Sequence, residues 1–283
     1  MKTLEDALQA GRFLLKEKEI QDGNLDAWYL LSYCFQMNRT EYLLHSTKPI
    51  TEEQYHQYLE LVQRRGNHIP LQYITGEQEF MGFNFLVSEE VLIPRQDTET
   101  LVEEVLKVAK GKDVLDLCTG SGCIIISLAK LGEIKNAVGV DISEGALSIA
   151  KENAKQLQAE VKFIQSDMYT QVQERFDILV SNPPYIPSSE ILDLMDEVKN
   201  HEPIMALDGK TDGLYFYRII INGLSLHLKP SGYVFLEIGY NQGEAVSKLL
   251  KDMGIMDIRV IKDLAGLDRV VRGQYIKKEE PFT

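Results

Sequence analysis

The spacing of hydrophobic positions changes along the chain and divides it into three parts. Over residues 1–72 apolar side chains recur every three or four positions, which is the spacing of amphipathic helices. Between residues 73 and 93, an aromatic and β-branched run with an internal glycine predicts a β-hairpin. The pattern therefore predicts a small helical N-terminal domain at 1–72, a β-hairpin linker at 73–93 and a third part at 94–283.

From residue 94 onward, short apolar strands alternate with helical segments. This alternation is typical of an α/β fold with a doubly wound, mostly parallel sheet. We expect seven strands in the sheet, near residues 113–117, 137–140, 161–165, 176–180, 233–237, 258–261 and 269–275.

The composition indicates whether the protein is globular, membrane-spanning or secreted. Of the 283 residues 44% are hydrophobic, which fits an ordinary globular protein. No apolar run approaches the roughly 20 residues of a membrane span, and charges interrupt the N-terminus too early for a secretory signal. We therefore expect a cytoplasmic protein without a membrane partner.

Neither the cysteines nor the net charge favours a metal or a nucleic-acid partner. The three cysteines and five histidines do not have the spacing of a zinc site, so we predict no metal. The formal charge of −13 disfavours nucleic acid, because binding to phosphates usually needs a basic surface. The charge favours a protein or a small molecule as the substrate.

A glycine-containing loop follows the strand 113–117 and reads Cys118-Thr119-Gly120-Ser121-Gly122. Two glycines allow close approach of a ligand, and the N-terminus of the following helix favours an anionic group. Asp141 ends the next strand, where a carboxylate can accept hydrogen bonds from both ribose hydroxyls. The pair indicates an adenosine-containing cofactor, whereas the alternative is a tight turn with a helix-capping aspartate.

The loop alone does not distinguish NAD from S-adenosyl-L-methionine (SAM), since both satisfy this geometry. A dinucleotide loop would typically carry a third glycine, but the corresponding position is Ile125. Asp116, which precedes the loop, suits a ligand with an amino group better than a pyrophosphate.

The strand 176–180 leads directly into Asn182-Pro183-Pro184-Tyr185. The two prolines fix φ and remove backbone donors. The side-chain oxygen of Asn182 and the carbonyl of Pro183 can then accept both N–H bonds of a planar NH2 group. Such a nitrogen is a poor nucleophile, and two fixed acceptors stabilise the positive charge that develops on it during attack. The ring of Tyr185 can pack on the flat group.

Asn-Pro-Pro-Tyr at this position is similar to the motif of methyltransferases that act on DNA adenine N6, RNA guanine N2 or protein glutamine N5. Further stretches resemble the peptide-chain release factor glutamine methyltransferase family (the HemK family) over essentially the whole chain. These stretches are residues 70–76, 93–99, 201–203, 206–209, 212–214, 236–239 and 263–269.

The resemblance implies a class I SAM-dependent methyltransferase fold and transfer of methyl to the side-chain N5 of the Gln in the Gly-Gly-Gln motif of class I release factors. The product of SAM would be S-adenosyl-L-homocysteine. In this family Asn182, Pro183, Pro184 and Tyr185 would receive the substrate glutamine. The implied cofactor-binding residues are Cys118, Thr119, Gly120, Ser121, Gly122, Asp141, Asp167, Met168 and Asn182.

The chain departs from the family at one position of the loop. The family commonly has Gly where this chain has Cys118.

We expect a monomer whose residues 1–72 serve as a substrate-docking domain. The alternative substrates are a ribosomal-protein glutamine and a nucleic-acid exocyclic amine. A SAM-binding module without catalysis is hard to reconcile with an intact Asn182–Tyr185 motif.

The region that follows the motif contains several acidic residues. Acidic residues recur at helical spacing between 190 and 197, which favours a solvated acidic helix over a flap that meets a basic release factor.

The motif itself has no side chain that titrates near neutrality, so it predicts a methylation rate nearly flat from about pH 6.5 to 8.5. His201 and Glu202 are the nearest candidates in the sequence for a base, although His201 is interpreted as a structural histidine. Arg95 either anchors the hairpin or contacts the substrate.

Overall fold

A computed structural model describes residues 1–276 and divides them into two compact units. The first comprises Met1–Glu77 together with Met195–His201, and the second comprises Gln78–Leu194 and the chain from Glu202 onward. The assignment of Met195–His201 to the first unit was not predicted, because this segment lies far along the sequence from the other residues of that unit.

The first unit is helical. Apolar side chains at helical spacing form its core, which contains the fully buried Leu30, Leu31 and Tyr58. The side chains of the capping residues Thr3 and Thr51 each accept a hydrogen bond from the backbone N–H three positions on. The side chain of that third residue in turn accepts from the backbone N–H of the capping residue. The first five helices are α1 (Leu4–Glu17), α2 (Gly23–Phe35), α3 (Arg39–His45), α4 (Glu52–Gly66) and α5 (Leu71–Thr75).

An ion cluster around the buried Arg65 joins Met195–His201 to these helices. Arg65 places Nε 2.7 Å from the Asp26 carboxylate and an Nη 2.7 Å from the Glu197 carboxylate. Burial raises the pKa of Asp26, and Arg65 acts against that rise. Removing one partner of such a buried pair would leave an uncompensated charge, which is strongly unfavourable.

The prediction of one solvated acidic helix between 190 and 197 is therefore wrong. The segment forms a 3-10 helix, Ser188–Asp193, and then a separate α-helix, Asp196–His201. Glu190 and Asp193 are exposed, but Glu197 meets Arg65. The spacing was helical only by coincidence across the break between the two helices.

The second unit begins with the predicted hairpin, β1 (Glu77–Phe80) and β2 (Phe83–Leu86), within the predicted linker 73–93. Phe80 and Phe85 pack edge to face and are buried in a core cluster shared with the sheet. The hairpin thus packs on the core beside the large sheet.

The large sheet has seven strands in the order β5-β4-β3-β6-β7-β9-β8, parallel except around β9. This confirms the predicted doubly wound, mostly parallel sheet. The strands are β3 (Asp113–Leu117), β4 (Asn136–Asp141), β5 (Lys162–Gln165), β6 (Phe176–Ser181), β7 (Leu228–Glu237), β8 (Met256–Lys262) and β9 (Asp268–Gln274).

Helices pack on both faces of this sheet, and the sheet separates two apolar clusters. They are α6 (Glu99–Leu106), α7 (Cys123–Leu131), α8 (Glu144–Gln156), α10 (Ile204–Leu207), α11 (Tyr215–His227) and α12 (Gly243–Asp252), while α9 is the segment Asp196–His201 in the first unit. In such a sheet a ligand binds at the carboxyl ends of the strands, where the chain order reverses. Here the reversal falls between β3 and β6.

Candidate active site

Register places the predicted loops side by side. Leu117 at the end of β3 pairs with Val140 of β4 on one side and with Ser181 of β6 on the other. The residues that follow these strand ends therefore emerge at one edge of the sheet. This brings the glycine loop, Asp141 and Asn182 together, as expected from the sequence.

The loop after β3 is held in a conformation that glycine favours. Gly120 has φ of 54° and Gly122 has φ of 80°, both in the left-handed region. A Cβ at Gly120 would meet nothing within 4 Å, whereas at Gly122 it would lie 2.8 Å from Ile126. Gly120 thus borders open space in which a ligand can approach the backbone, and Gly122 permits close packing at the start of α7.

Cys118 has φ of 59° and is also in the left-handed region. A non-glycine residue there costs about 1 kcal/mol or more, so glycine would fit this backbone conformation with less strain. The thiol lies 3.9 Å from the Met168 sulfur, and burial raises its pKa. The thiol is therefore a packed neutral group that joins the loops after β3 and β5.

Asp116 is fully buried beneath the loop. The Thr119 hydroxyl donates to its Oδ2 at 2.6 Å, but its Oδ1 has no hydrogen-bond partner. Burial raises the pKa of Asp116 to about 8. An acceptor oxygen left without a donor in a buried site calls for a positively charged or N–H-bearing ligand group, so this site fits the amino group of SAM.

Asp141 binds backbone and does not cap the next helix. Its two oxygens accept from Gly120 N at 2.9 Å and from Ser143 N at 3.0 Å. The cap of α8 is Ser143, whose hydroxyl accepts from Ala146 N. The helix-capping alternative for Asp141 is therefore wrong. Each carboxylate oxygen retains a lone pair, so the partly exposed group can still accept from two hydroxyls.

The loop after β5 carries the other two predicted cofactor residues. Met168 is buried, with φ of 47°, against the core and Cys118. Asp167 is exposed. The structure thus brings Met168 to the loop of β3 and leaves the Asp167 side chain facing solvent.

The Asn182–Tyr185 motif is braced from behind. Pro183 and Pro184 are buried, and the Tyr185 carbonyl accepts from the Gln242 side-chain amide at 2.9 Å. A Cβ on Gly213 would stand 2.3 Å from this carbonyl oxygen, which excludes any larger residue. The backbone of the motif is thereby fixed by neighbours on its far side.

A short ladder fixes the chain that leaves the motif. Ile186 N donates to Leu207 O at 3.0 Å, and Gly209 N donates to Ile186 O at 2.8 Å. A Cβ on Gly209 would stand 2.7 Å from the Tyr185 carbonyl carbon. The two glycines of the stretches 206–209 and 212–214 are therefore explained by close approach to the backbone of Tyr185.

Sequence reasoning missed three residues around Asn182. The Asn182 amide donates to the Thr98 hydroxyl at 3.4 Å, and the side chains of both residues lower the pKa of the buried Glu237 carboxyl group. Thr98 and Glu237 are buried, as is Gln242 behind Tyr185. The signal in the sequence was the position of Glu237 at the end of the strand 233–237, because parallel strands end at the same edge.

Arg95 and Glu202 form an ion pair. Glu202 also accepts from Ile93 N at 3.3 Å and is buried. This carboxylate therefore holds the turn before α6 in place, which gives Arg95 and Glu202 a structural role. His201 belongs to the other compact unit.

The fold and this site define a class I methyltransferase that uses SAM as the methyl donor. The sheet is similar to a methyltransferase structure from Pyrococcus furiosus, with a TM-score of 0.55 and 14% identity over 70% of this chain and 91% of that one. A 16S rRNA N2-G1207 methyltransferase of T. thermophilus, solved with AdoMet and guanosine, gives a TM-score of 0.50 and 19% identity over 70% of this chain and 49% of that one.

Sequence relatives identify the family. Residues 6–76 match the family described as "PrmC N-terminal domain" and residues 96–198 match "Methyltransferase small domain". The release factor glutamine methyltransferase of Geobacter sulfurreducens is 40% identical over 96% of each chain, and that of Bacillus subtilis is 36% identical over 96% of this chain and 97% of its own. The chain belongs to the release factor glutamine methyltransferase family, which confirms the resemblance seen in the sequence.

Within the described residues 1–276, no helix is long and apolar enough to cross a membrane. Over the same part of the chain, no three His, Cys, Asp or Glu side chains are grouped so that they could hold a metal ion.

Proposed function

We propose that this enzyme transfers a methyl group from SAM to the side-chain N5 of the Gln in the Gly-Gly-Gln motif of class I release factors. The observation that carries the proposal is the braced Asn182–Tyr185 loop beside the loop of β3. Asn182 Oδ1 and the Pro183 carbonyl are the two acceptors for the substrate NH2 group. The family membership supports a glutamine amide as that group.

The arrangement of the strand ends supports the proposed cofactor residues. SAM, when bound, supplies an electrophilic methyl group on a sulfonium centre. The unpartnered oxygen of Asp116 suits its amino group, and residues 118–122 line its methionine part. Asp141 accepts from the ribose, while Asp167 and Met168 border the adenine. Asn182 would contact both substrates, and S-adenosyl-L-homocysteine would be the product of SAM.

The ribose role of Asp141 predicts a loss of affinity. Asp141→Ala should weaken SAM binding by on the order of 1.5–3 kcal/mol, because charge-assisted hydrogen bonds to the hydroxyls are lost. Calorimetric titration with SAM measures this directly. Asp193→Ala, which removes an exposed carboxylate elsewhere, is the matched control and should bind normally. Unchanged affinity in Asp141→Ala would remove Asp141 from the cofactor site.

The chain's own residues act on the substrate by orientation and charge stabilisation. The two acceptors hold the NH2 hydrogens, so that the nitrogen lone pair is directed at the methyl group. They also stabilise the positive charge that develops on nitrogen. The alkylated amide nitrogen is a strong acid, so its proton can leave to water after the C–N bond has formed. The Tyr185 ring excludes water from the flat amide.

We also propose that the helical unit docks the release factor. Its helix α3 exposes two adjacent leucines, Leu43 at 68% and Leu44 at 73%. Apolar side chains exposed next to each other favour a protein-binding surface. Neither leucine belongs to the cofactor site, so a contact there would act on the whole protein substrate and leave a short peptide unaffected.

Replacing both leucines by aspartate should therefore separate the two substrates. We expect kcat/KM for a whole release factor to fall roughly thirtyfold, the scale of a central contact worth about 2 kcal/mol. Turnover of a short Gly-Gly-Gln peptide should not change. Leu264→Asp, at a fully exposed leucine of the other unit, is the control. Equal losses with both substrates would show that α3 is not the docking surface.

Transfer of label from SAM tests the substrate class. The enzyme is incubated with labelled SAM and, in separate reactions, with purified release factor, with a release factor whose Gly-Gly-Gln glutamine is replaced by alanine, with ribosomal proteins, and with total RNA. Label in the unaltered release factor alone supports the proposal. Label in RNA, or in a ribosomal protein, would show that one of the alternative substrates is correct.

A further inference from the structure

A buried carboxyl group stands beside the catalytic motif. Glu237 ends β7 and is 1% exposed. Ser181 of β6 pairs with Leu236 of β7, so Asn182 and Glu237 are the next residues along two neighbouring strands. One oxygen of Glu237, Oε2, has no hydrogen-bond partner. Burial of an unpaired acceptor is unfavourable, so its position beside the catalytic amide indicates a role there.

The groups around the Glu237 carboxyl group are hydrogen-bond donors, and this determines which side of the Asn182 amide faces it. The Thr98 hydroxyl and the Asn182 side chain both act on its carboxyl group and lower its pKa, as hydrogen-bond donors do. The Thr98 oxygen in turn accepts from Asn182 Nδ2 at 3.4 Å. A carboxylate only accepts hydrogen bonds, so the NH2 side of the Asn182 amide must face Glu237 and Thr98. The carbonyl side, Oδ1, is then turned away from them.

We propose that Glu237, as a carboxylate, is a positioning residue that fixes the Asn182 side-chain amide so that its Oδ1 faces the substrate nitrogen. The proposal rests on the proposed function, in which Asn182 Oδ1 accepts a hydrogen bond from that nitrogen. A reversed amide would present NH2 to the substrate NH2, and two donors repel each other. Protonated Glu237 is itself a donor and permits the reversed orientation, so only the ionised form enforces the productive one.

The surroundings of Glu237 set its ionisation near neutrality. Burial raises its pKa, while the hydrogen bonds from Thr98 and Asn182 and the charge of Arg269 on β9 lower it, and Asp97 raises it. The net pKa is about 7. The other titratable groups that face it are Tyr185 of the motif, Tyr217 of α11 and Cys123 of α7, and burial raises the pKa of each, so all three are neutral in this range.

This changes the expected pH dependence. The motif alone predicted a flat rate, but the ionised fraction of Glu237 should impose a rise through pH 7. For a pKa of about 7, the rate should fall roughly fivefold from pH 7 to pH 6 and level off above about pH 8. Substrate and SAM affinity should change less than the rate, because Glu237 orients an acceptor and does not itself touch either substrate.

The test is the single-turnover rate from pH 6 to 8.5 at saturating SAM, for the native enzyme, Glu237→Gln and Glu202→Gln. We expect Glu237→Gln to react at least about tenfold more slowly at pH 8 and with a flat profile, since a neutral amide can pair with either orientation of Asn182. Glu202→Gln, at another buried carboxylate, should keep the native pH profile. A native rate and a native profile in Glu237→Gln would overturn the proposal, as would a slower rate that still titrates near pH 7.

A stability measurement shows that the variant folds and that Glu237 carries the titration. Its folded pKa lies above the ordinary value of 4.5, so ionisation is less favourable in the folded state. The native protein should lose stability relative to Glu237→Gln as pH rises from about 4.5 through 7. A melting-temperature difference that grows over this range supports the assignment, and a difference that stays constant overturns it. Asn182→Ala serves as the reference: if it reacts at the native rate the proposed function fails, whereas a slow Asn182→Ala with a native Glu237→Gln defeats only the role of Glu237.

Discussion

Replacing Asn182 by alanine is expected to lower the single-turnover rate of methyl transfer at saturating SAM by at least about a hundredfold. This is the scale for losing one preorganised polar group that stabilises developing charge. The side chain of Asn182 is partly exposed at the end of β6, donates to the Thr98 hydroxyl and lowers the pKa of Glu237. Its truncation removes an acceptor from the substrate amide without opening the buried core.

Rapid-quench measurement with labelled SAM and release factor gives this rate, and calorimetry gives the SAM affinity of the same variant. Asn84→Ala, at an exposed asparagine of β2, is the matched control and should react at the native rate. A rate for Asn182→Ala within a few-fold of native would mean that the motif does not orient the reacting nitrogen.

Gly213→Ala is expected to reduce methyl transfer by about a hundredfold as well, although Gly213 touches no substrate in the proposed arrangement. Its Cβ would stand 2.3 Å from the Tyr185 carbonyl oxygen and 2.6 Å from the Gln242 amide nitrogen. The motif must therefore move, and a displacement of about 1 Å in a positioned group costs about this much in rate.

Gly82→Ala separates this effect from backbone strain. Gly82 has φ of 77°, close to the 70° of Gly213, but a Cβ there would meet nothing within 4 Å. Both substitutions impose the strain of a left-handed alanine, and only Gly213→Ala displaces the motif. Equal rates in the two variants would show that the contact between Gly213 and Tyr185 does not position the active loop.

The alternation of short apolar strands with helices predicted the doubly wound sheet, because strands buried on both faces read as apolar runs. The edge pair β8 and β9 was also placed near its observed position. Pattern could not assign Met195–His201 to the helical unit. That assignment depends on the ion pair between the buried Arg65 and the partly exposed Glu197, and nothing in local spacing distinguishes a carboxylate that faces an arginine from one that faces water.

The site shows a similar division. Residues with a local signature were found: the glycine loop, Asp141 and the Asn-Pro-Pro-Tyr motif, all of which lie at one edge of the sheet. Thr98, Glu237 and Gln242 were missed because they act through residues distant in the sequence. Glu237 is brought to Asn182 only by the register of β6 and β7. The sequence shows the cysteine at position 118 of the loop, whereas its left-handed backbone is visible only in the structure.

Mass spectrometry of the methylated product tests the central claim most directly. A release factor is incubated with the enzyme and SAM, digested, and each methylated peptide is fragmented to locate the added methyl group. The account predicts one methyl on the Gly-Gly-Gln glutamine, and acid hydrolysis of that peptide should release methylamine, as expected for a methyl on the side-chain nitrogen N5. A methyl group on another residue or on the backbone, or an unmodified release factor beside methylated RNA, would contradict it.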